Sequence, residues 1–244
     1  MTWASPDGER GGPAGRGGLR VAVLDYGAGN LVSIHQALTF CGADARIASE
    51  PADLAGAEAV VVPGVGAAAP AMRRLTRAGL VGPLLRWIAL GRPYLGICLG
   101  LQLLFDRSDE DGATTFGVIP GRAARLEGAP TLPHIGWNQV EQRRVHALLA
   151  GIDDGTDFYF VHSYAGRPEG ATGAVVTLAE TGHGDRFVSA VARGNVLGVQ
   201  FHPERSGGAG LRLLGNFTRW ATALAAGAGA ERSPVGAGGT AGGD

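Results

Sequence analysis

Lysine is absent. All 21 basic residues of this 244-residue chain are arginine, so no side-chain amine is available as a Schiff-base nucleophile. Nothing physical demands that bias, and we read it as codon usage in a GC-rich genome. Cysteine is nearly absent too. Cys41 and Cys98 allow at most one disulfide and no Cys-x-x-Cys metal clamp, which fits a reducing compartment better than a secreted disulfide framework. There is little excess charge: the formal net charge is −1, with no electrostatic footprint for nucleic acid or an acidic membrane. The opening "MTWASPDGERGGPAGRGGLR" lacks an apolar core of signal-peptide length, and no run reaches transmembrane length. A cytoplasmic location is the expectation. His-Glu-x-x-His and dense carboxylate clusters are missing, so no metal is expected. Two partial glycine patterns, Gly27-x-Gly29 and Gly64-x-Gly66-x-x-Ala69, fall short of the dinucleotide fingerprint. No cofactor is expected.

What is present is a regular alternation. "VAVLDY", "AEAVVVP" and "YLGIC" read as buried strands, each followed by a helical pattern: "NLVSIHQALTFCG", "PAMRRLTRAGLVGPLLRWIALG" as one or two helices, and "LGLQLLFD". That order predicts an α/β fold, an open, twisted and mostly parallel sheet with helices on both faces. Asn30 is a candidate N-cap and Gly42 a candidate C-cap of the first helix. From about 116 strand-like pieces crowd together, namely "FGVIPG", "DFYFVHSY", "AVVTLAE", "RFVSAVARG" and "VLGVQFHPE", before a final helix over 210–227. Residues 1–19 and 226–244 are poor in anything to bury and read as disordered tails around one domain, 20–225.

The chemistry concentrates in "YLGICLGLQLLF". Glycine weakens strand and helix interiors alike, yet Gly96 and Gly100 flank Cys98 where a strand must become a helix. This is the sulfur counterpart of a nucleophile elbow, in which a sharp turn presents the side chain above the sheet edge. A helix start beneath the sulfur favours the thiolate. The bland reading, a small buried hydrophobe, suits Cys41 well and leaves the paired glycines around Cys98 unexplained. A nucleophile needs a base and the base an orienter. Of the six histidines, His202 ends an apolar run, is followed by Pro203, and has Glu204 two positions on. In an extended segment that spacing puts both side chains on one side. The open α/β rule brings such strand ends together. The glycine loop Gly64, Val65, Gly66 and the amide of Leu99 are candidate oxyanion donors.

Gly-Ile-Cys-Leu-Gly-Leu-Gln followed far downstream by Phe-His-Pro-Glu resembles the class I (triad) glutamine amidotransferases. "LDYGAGNLVSIHQAL", "VVPGVGAA", "PHIGWNQV", "FYFVHSYAG" and "GVQFHPERSG" are similar to one branch, the glutaminase subunits of imidazole glycerol phosphate synthases, over about residues 20–225. The resemblance implies glutamine hydrolysis with Cys98 as nucleophile, His202 as base and acid, and Glu204 as orienter. It places Gln102, Ser163 and Tyr164 against substrate glutamine, and Asn30, Trp137, Asn138 and Arg205 against a (β/α)8 cyclase partner in a heterodimer. Trp137 suits an interface anchor, its other reading being a core tryptophan beneath a loop. Arg205 stands where lysine is usual, and a guanidinium fork does not replace an ammonium contact for contact. Leu101 and Ile135 stand where methionine is common and conserve its volume. A glutaminase of another synthase, such as the one making anthranilate, and a stand-alone γ-glutamyl hydrolase or peptidase are the competing readings. A non-enzymatic binding module on a flavodoxin-like sheet is a third.

Overall fold

The computed structural model describes residues 17–230, and the expected tails fall largely outside that range. Within it, Leu19 is already buried. The chain runs β1 (Arg20–Leu24), α1 (Leu31–Phe40), β2 (Asp44–Ala48), β3 (Ala59–Gly64), α2 (Ala68–Arg77), α3 (Val81–Ala89), β4 (Tyr94–Cys98) and α4 (Leu99–Gln102). It continues through β5 (Arg107–Ser108), β6 (Gly121–Arg125), β7 (His134–Gln142), β8 (Thr156–His162), β9 (Tyr164–Pro168) and α5 (Gly170–Val176). It ends with β10 (Thr177–His183), β11 (Asp185–Arg193), β12 (Val196–Val199) and α6 (Gly207–Ala230).

The main sheet has the order β2-β1-β3-β4-β12-β11-β10-β7-β8. Its first five strands pair in parallel, and the remaining four extend it antiparallel. Strands buried on both faces read as unbroken apolar runs, and the alternation within them divides the core. Val21, Val23, Val61, Leu95 and Ile97 face α1 and α6 through Ile34, Leu38, Leu213 and Phe217. Ala22, Leu24, Val60, Val62 and Tyr94 face the other way, onto Ala71 and Leu75 of α2 and Leu84 and Trp87 of α3. Each such aliphatic side chain contributes about 1.5–3 kcal/mol by leaving water. The sheet is therefore a rigid floor for whatever sits at its strand ends.

Four expectations change. "FGVIPG" is an irregular loop, because the amides of Phe116 and Val118 donate to the carbonyls of Leu103 and Leu104 rather than to a strand. "AVVTLAE" is divided, its first half closing α5 and its second opening β10. The helix after Cys98 is one turn, Leu99–Gln102, so its field on the sulfur comes from the first free amides and not from a long macrodipole. Finally, α6 starts at Gly207 and runs to Ala230, three residues beyond each end of the expected 210–227. Alanine, the best helix former, carries the pattern on.

Candidate active site

Cys98 ends β4 and is the one residue other than glycine with positive φ among the described residues (φ 54°, ψ −107°). Both flanking glycines are needed for close approach. A Cβ at Gly96 would lie 2.3 Å from the Gly100 carbonyl oxygen, and one at Gly100 would lie 1.8 Å from that of Val62. The helix start is thus pressed onto the sheet, and the cysteine backbone takes the strain of the turn, of order 1–3 kcal/mol. Next to it, Gly64 closes β3 in register with Cys98. Its missing Cβ is the space taken by the Tyr26 hydroxyl, 2.1 Å away, which donates to the Pro63 carbonyl at 2.8 Å. Val65 is half exposed and Gly66 has φ +86° with open space around it. Leu99 is the first helical residue, so its amide has no intrahelical acceptor.

His202 follows the neighbouring strand β12. Its amide donates to the Tyr159 carbonyl at 2.9 Å, and its carbonyl accepts the Ser206 hydroxyl at 2.6 Å. The ring is thus carried on backbone fixed at both ends. Nδ1 lies 2.8 Å from Glu204 Oε1, with the two side chains 6% and 2% exposed. The contact spans a 3-10 turn, Pro203–Arg205, and not the extended segment that the spacing suggests. Burial works against charge on His202, yet hydrogen bonding and charge from Cys98 and Glu204 outweigh it and push its pKa up to about 10. A carboxylate acceptor at Nδ1 places the neutral ring's proton there, leaving Nε2 as the basic atom. Nε2 is buried and lies within reach of Cys98, without an aligned hydrogen-bond partner in the resting site.

Val65, Gly66, Cys98, Gln102, Ser163 and Tyr164 share one cavity of about 240 Å³. Both amide hydrogens of Gln102 are spent inside the protein, on the Tyr164 carbonyl at 2.7 Å and on Gln200 Oε1 at 3.1 Å. Toward a ligand it offers only its oxygen. Three residues escape the sequence reading. Glu110 lines the cavity, and burial followed by the nearby Asp111 charge raises its carboxyl pKa; within "DRSDEDG" it looks like any solvated turn acid. His162 also lines the cavity, hidden in an alternating strand. Gln200 is fully buried and its amide lies 3.5 Å from the Cys98 sulfur; a polar residue inside "VLGVQF" was the available signal. A larger hollow of about 470 Å³ lies around Arg143, Arg167, Glu180 and Arg186. It is lined by no cysteine, serine or histidine, and its arginines are ion-paired.

The four expected partner-facing residues behave differently. Trp137 is 57% exposed, so it is no core tryptophan. It meets the Tyr159 ring edge-on at 6.1 Å, and the Arg205 guanidinium lies 4.1 Å over that same ring. Asn30 caps α1, accepting from the Ser33 amide at 3.3 Å, and α1 packs against the Pro203–Arg205 turn. The Asn138 amide is turned inward onto the Gly182 carbonyl. Among the described residues no cluster of histidine, cysteine and carboxylate could hold a metal, and no helix is long and apolar enough to cross a membrane.

A strained cysteine elbow beside a buried histidine–carboxylate pair at the strand ends of this α/β sheet is an arrangement capable of thiol acyl transfer of the triad type. Residues 22–219 match the family described as Glutamine amidotransferase class-I, and the chain belongs to that family. It is similar to "Imidazole glycerol phosphate synthase subunit HisH" of Symbiobacterium thermophilum, at 47% identity over 82% of this chain and 93% of the relative. The subunit of the same name from Syntrophotalea carbinolica is 44% identical over 81% of this chain and 98% of its own length. The PurLQS structure from Thermotoga maritima superposes with TM-score 0.66 at 16% identity, covering 83% of this chain and 99% of that one, which bears on the fold alone.

Proposed function

We propose that this chain is the glutaminase subunit of an imidazole glycerol phosphate synthase. It hydrolyses glutamine to glutamate and ammonia, and a (β/α)8 cyclase subunit, its partner in a heterodimer, consumes the ammonia in histidine biosynthesis. One observation carries the reading: Cys98, on its strained turn, opens into the small cavity, and behind it His202, after the neighbouring strand β12, lies within hydrogen-bonding and charge reach of both Cys98 and Glu204.

In this reading the Cys98 thiolate attacks the side-chain amide carbon, and the oxygen becomes an oxyanion facing the amides of Val65 and Leu99. Collapse breaks the C–N bond as His202 delivers a proton to the leaving nitrogen. Ammonia departs and a γ-glutamyl thioester remains. His202 then takes a proton from water, which attacks the thioester to give glutamate and the free thiol. Glu204 holds the imidazole and stabilises its charged form. The Gln102 oxygen and the Glu110 carboxylate are acceptors suited to the substrate α-ammonium, with Ser163 and Tyr164 completing the cavity. Ammonia reaches the cyclase, where a phosphoribulosyl aminoimidazole-carboxamide nucleotide is converted to imidazole glycerol phosphate and AICAR. Trp137, Tyr159 and Arg205 form the docking face with Asn30 at its border, and Asn138 belongs to its inner side.

The chain is mixed with the cyclase, its nucleotide substrate and either glutamine or ammonium. Cys98→Ala is expected to abolish glutamine-dependent synthesis and to leave ammonium-dependent synthesis intact. Loss of both in an assembled complex refutes the division of labour. Full-rate glutamine or γ-glutamyl hydrolysis by the chain alone favours the stand-alone hydrolase.

A further inference from the structure

A continuous set of hydrogen bonds joins the inner face of β7, at Asn138, to the Cys98 sulfur. The Asn138 amide nitrogen lies 3.1 Å from Nε2 of His134, and His134 Nδ1 lies 3.1 Å from Nε2 of His162. His162 Nδ1 is 3.0 Å from the Tyr164 carbonyl. That carbonyl also accepts from Gln102, which donates to Gln200, whose amide reaches Cys98.

The direction of every bond is forced. A carbonyl only accepts, so His162 carries its proton on Nδ1 and its Nε2 must accept. His134 therefore carries its proton on Nδ1, and its Nε2 takes a hydrogen from Asn138. The ends are anchored: Asn138 also donates to the Gly182 carbonyl at 2.9 Å and accepts the Gln139 amide at 2.8 Å, so its amide cannot turn over. Ring rotation is blocked as well. His134 stacks on Phe160 at 4.9 Å and on His183 at 3.9 Å, and His162 meets Phe187 at 4.9 Å. Burial, seconded for His134 by the nearby His183, holds the His134 pKa down to about 4. Burial likewise holds His162 at about 3 against its bond to Tyr164, so both rings stay neutral in ordinary buffers.

We propose that His134 and His162 are positioning residues forming a hydrogen-bond relay, one-way from Asn138 to the Tyr164 carbonyl and continued from that shared acceptor through Gln102 and Gln200, which ties the setting of β7 at Asn138 to the Cys98 sulfur. The relay rests on the proposed function, which makes Cys98 the nucleophile and the Trp137 face the docking surface. A partner that shifts β7 at Trp137 then shifts the groups that hold substrate and sulfur.

Asn138→Asp tests the polarity, because it keeps the shape and replaces the donor with an acceptor. His134 must then move its proton to Nε2 or become charged, and a buried acceptor pair or an extra buried charge results. Asn138→Ala removes one donor without reversing anything. His134→Phe keeps the stack and removes both nitrogens without touching the outer face. Imidazole nitrogen-15 shifts of the full chain at pH 7 should show both rings neutral and protonated on Nδ1. With saturating cyclase, Asn138→Asp and His134→Phe should lower kcat for glutamine hydrolysis about tenfold and Asn138→Ala about threefold, with KM changed less. Ammonium-dependent synthesis reports assembly separately. An Nε2 proton on either ring in the unmodified chain, or unchanged kcat in both Asn138→Asp and His134→Phe, overturns the relay. If the unmodified pair does not hydrolyse glutamine at all, the functional reading falls, and the nitrogen spectra of the unmodified chain still decide the relay.

Discussion

Cys41 and Cys98 both sit at the junction of a helix with its neighbouring segment, in opposite circumstances. Cys41 caps the end of α1 with ordinary backbone. Its thiol donates to the Leu211 carbonyl at 3.3 Å, and burial, partly offset by Arg219, pushes its pKa up. It is a protonated donor at rest. Cys98 caps the start of α4 with positive φ, receives the Gln200 amide and lies beside His202, whose pKa is raised. The same side chain donates a hydrogen bond at one position and receives one at the other. Backbone placement, not residue type, separates them.

The largest expected effect breaks that contrast outright. Cys98→Ala should reduce glutamine hydrolysis by on the order of 10⁵ or more, while Cys41→Ala stays within about twofold; an iodoacetamide rate map of both thiols supplies the matching measurement. Equal labelling of the two would remove the distinction. Next comes the pair behind the nucleophile. His202→Ala should approach the loss seen for the cysteine, whereas Glu204→Gln should be ten- to a hundredfold milder, since it orients and does not carry protons. Steady-state kinetics on the assembled enzyme decide, and equal losses would give Glu204 a larger part.

A smaller effect concerns the glycine loop. Gly64→Ala drives a Cβ into the Tyr26 hydroxyl and should cost on the order of 10² to 10³ in kcat if it displaces one oxyanion donor. The same substitution in a Tyr26→Phe background should regain part of that rate, because the colliding atom is gone. No recovery would mean that the Tyr26 contact does not set the loop. Proline at Gly64 is a poorer probe, as it adds the same collision to a lost amide.

The smallest effects are on pH. His134 and His162, with pKa values lowered from 6.5 to about 4 and about 3, bind protons more weakly folded than unfolded, so stability falls as pH drops below 6.5 toward 3. His202, raised to about 10, acts at the other end: its contribution is complete below 6.5 and is lost as pH rises toward 10. Thermal melts across pH should show His134→Phe flattening the acid limb and Cys98→Ala flattening the alkaline limb. Unchanged limbs in both variants would detach these groups from stability.

Much of the parallel half was legible. β1, β3, β4 and β12 read as unbroken apolar runs because both their faces are buried, and the glycines around Cys98 mark the turn without any help from the fold. β2, "DARIA", was not legible: as an edge strand it alternates weakly and carries an exposed Arg46. β7 was legible only as a motif, since Trp137 points outward where strand patterning would want a polar residue. The Phe116–Ile119 loop misleads because Phe116 and Ile119 are buried in the same core cluster as Leu101, Leu103 and Leu104 without pairing in any sheet. His202 and Glu204 were paired correctly from sequence, though through the wrong backbone geometry. The histidine relay had no sequence signal at all, for it is assembled from β7, β8 and β10 only once the antiparallel half is folded.

The backbone at Cys98 is a conformation that glycine would occupy without strain. Replacement by glycine would therefore relax the turn and, in a screen for thermal tolerance alone, pass as an improvement. Under the proposed function, selection for stability and selection for turnover pull this single position in opposite directions. A library enriched on melting temperature would be expected to drift toward molecules that dock, fold firmly and do nothing.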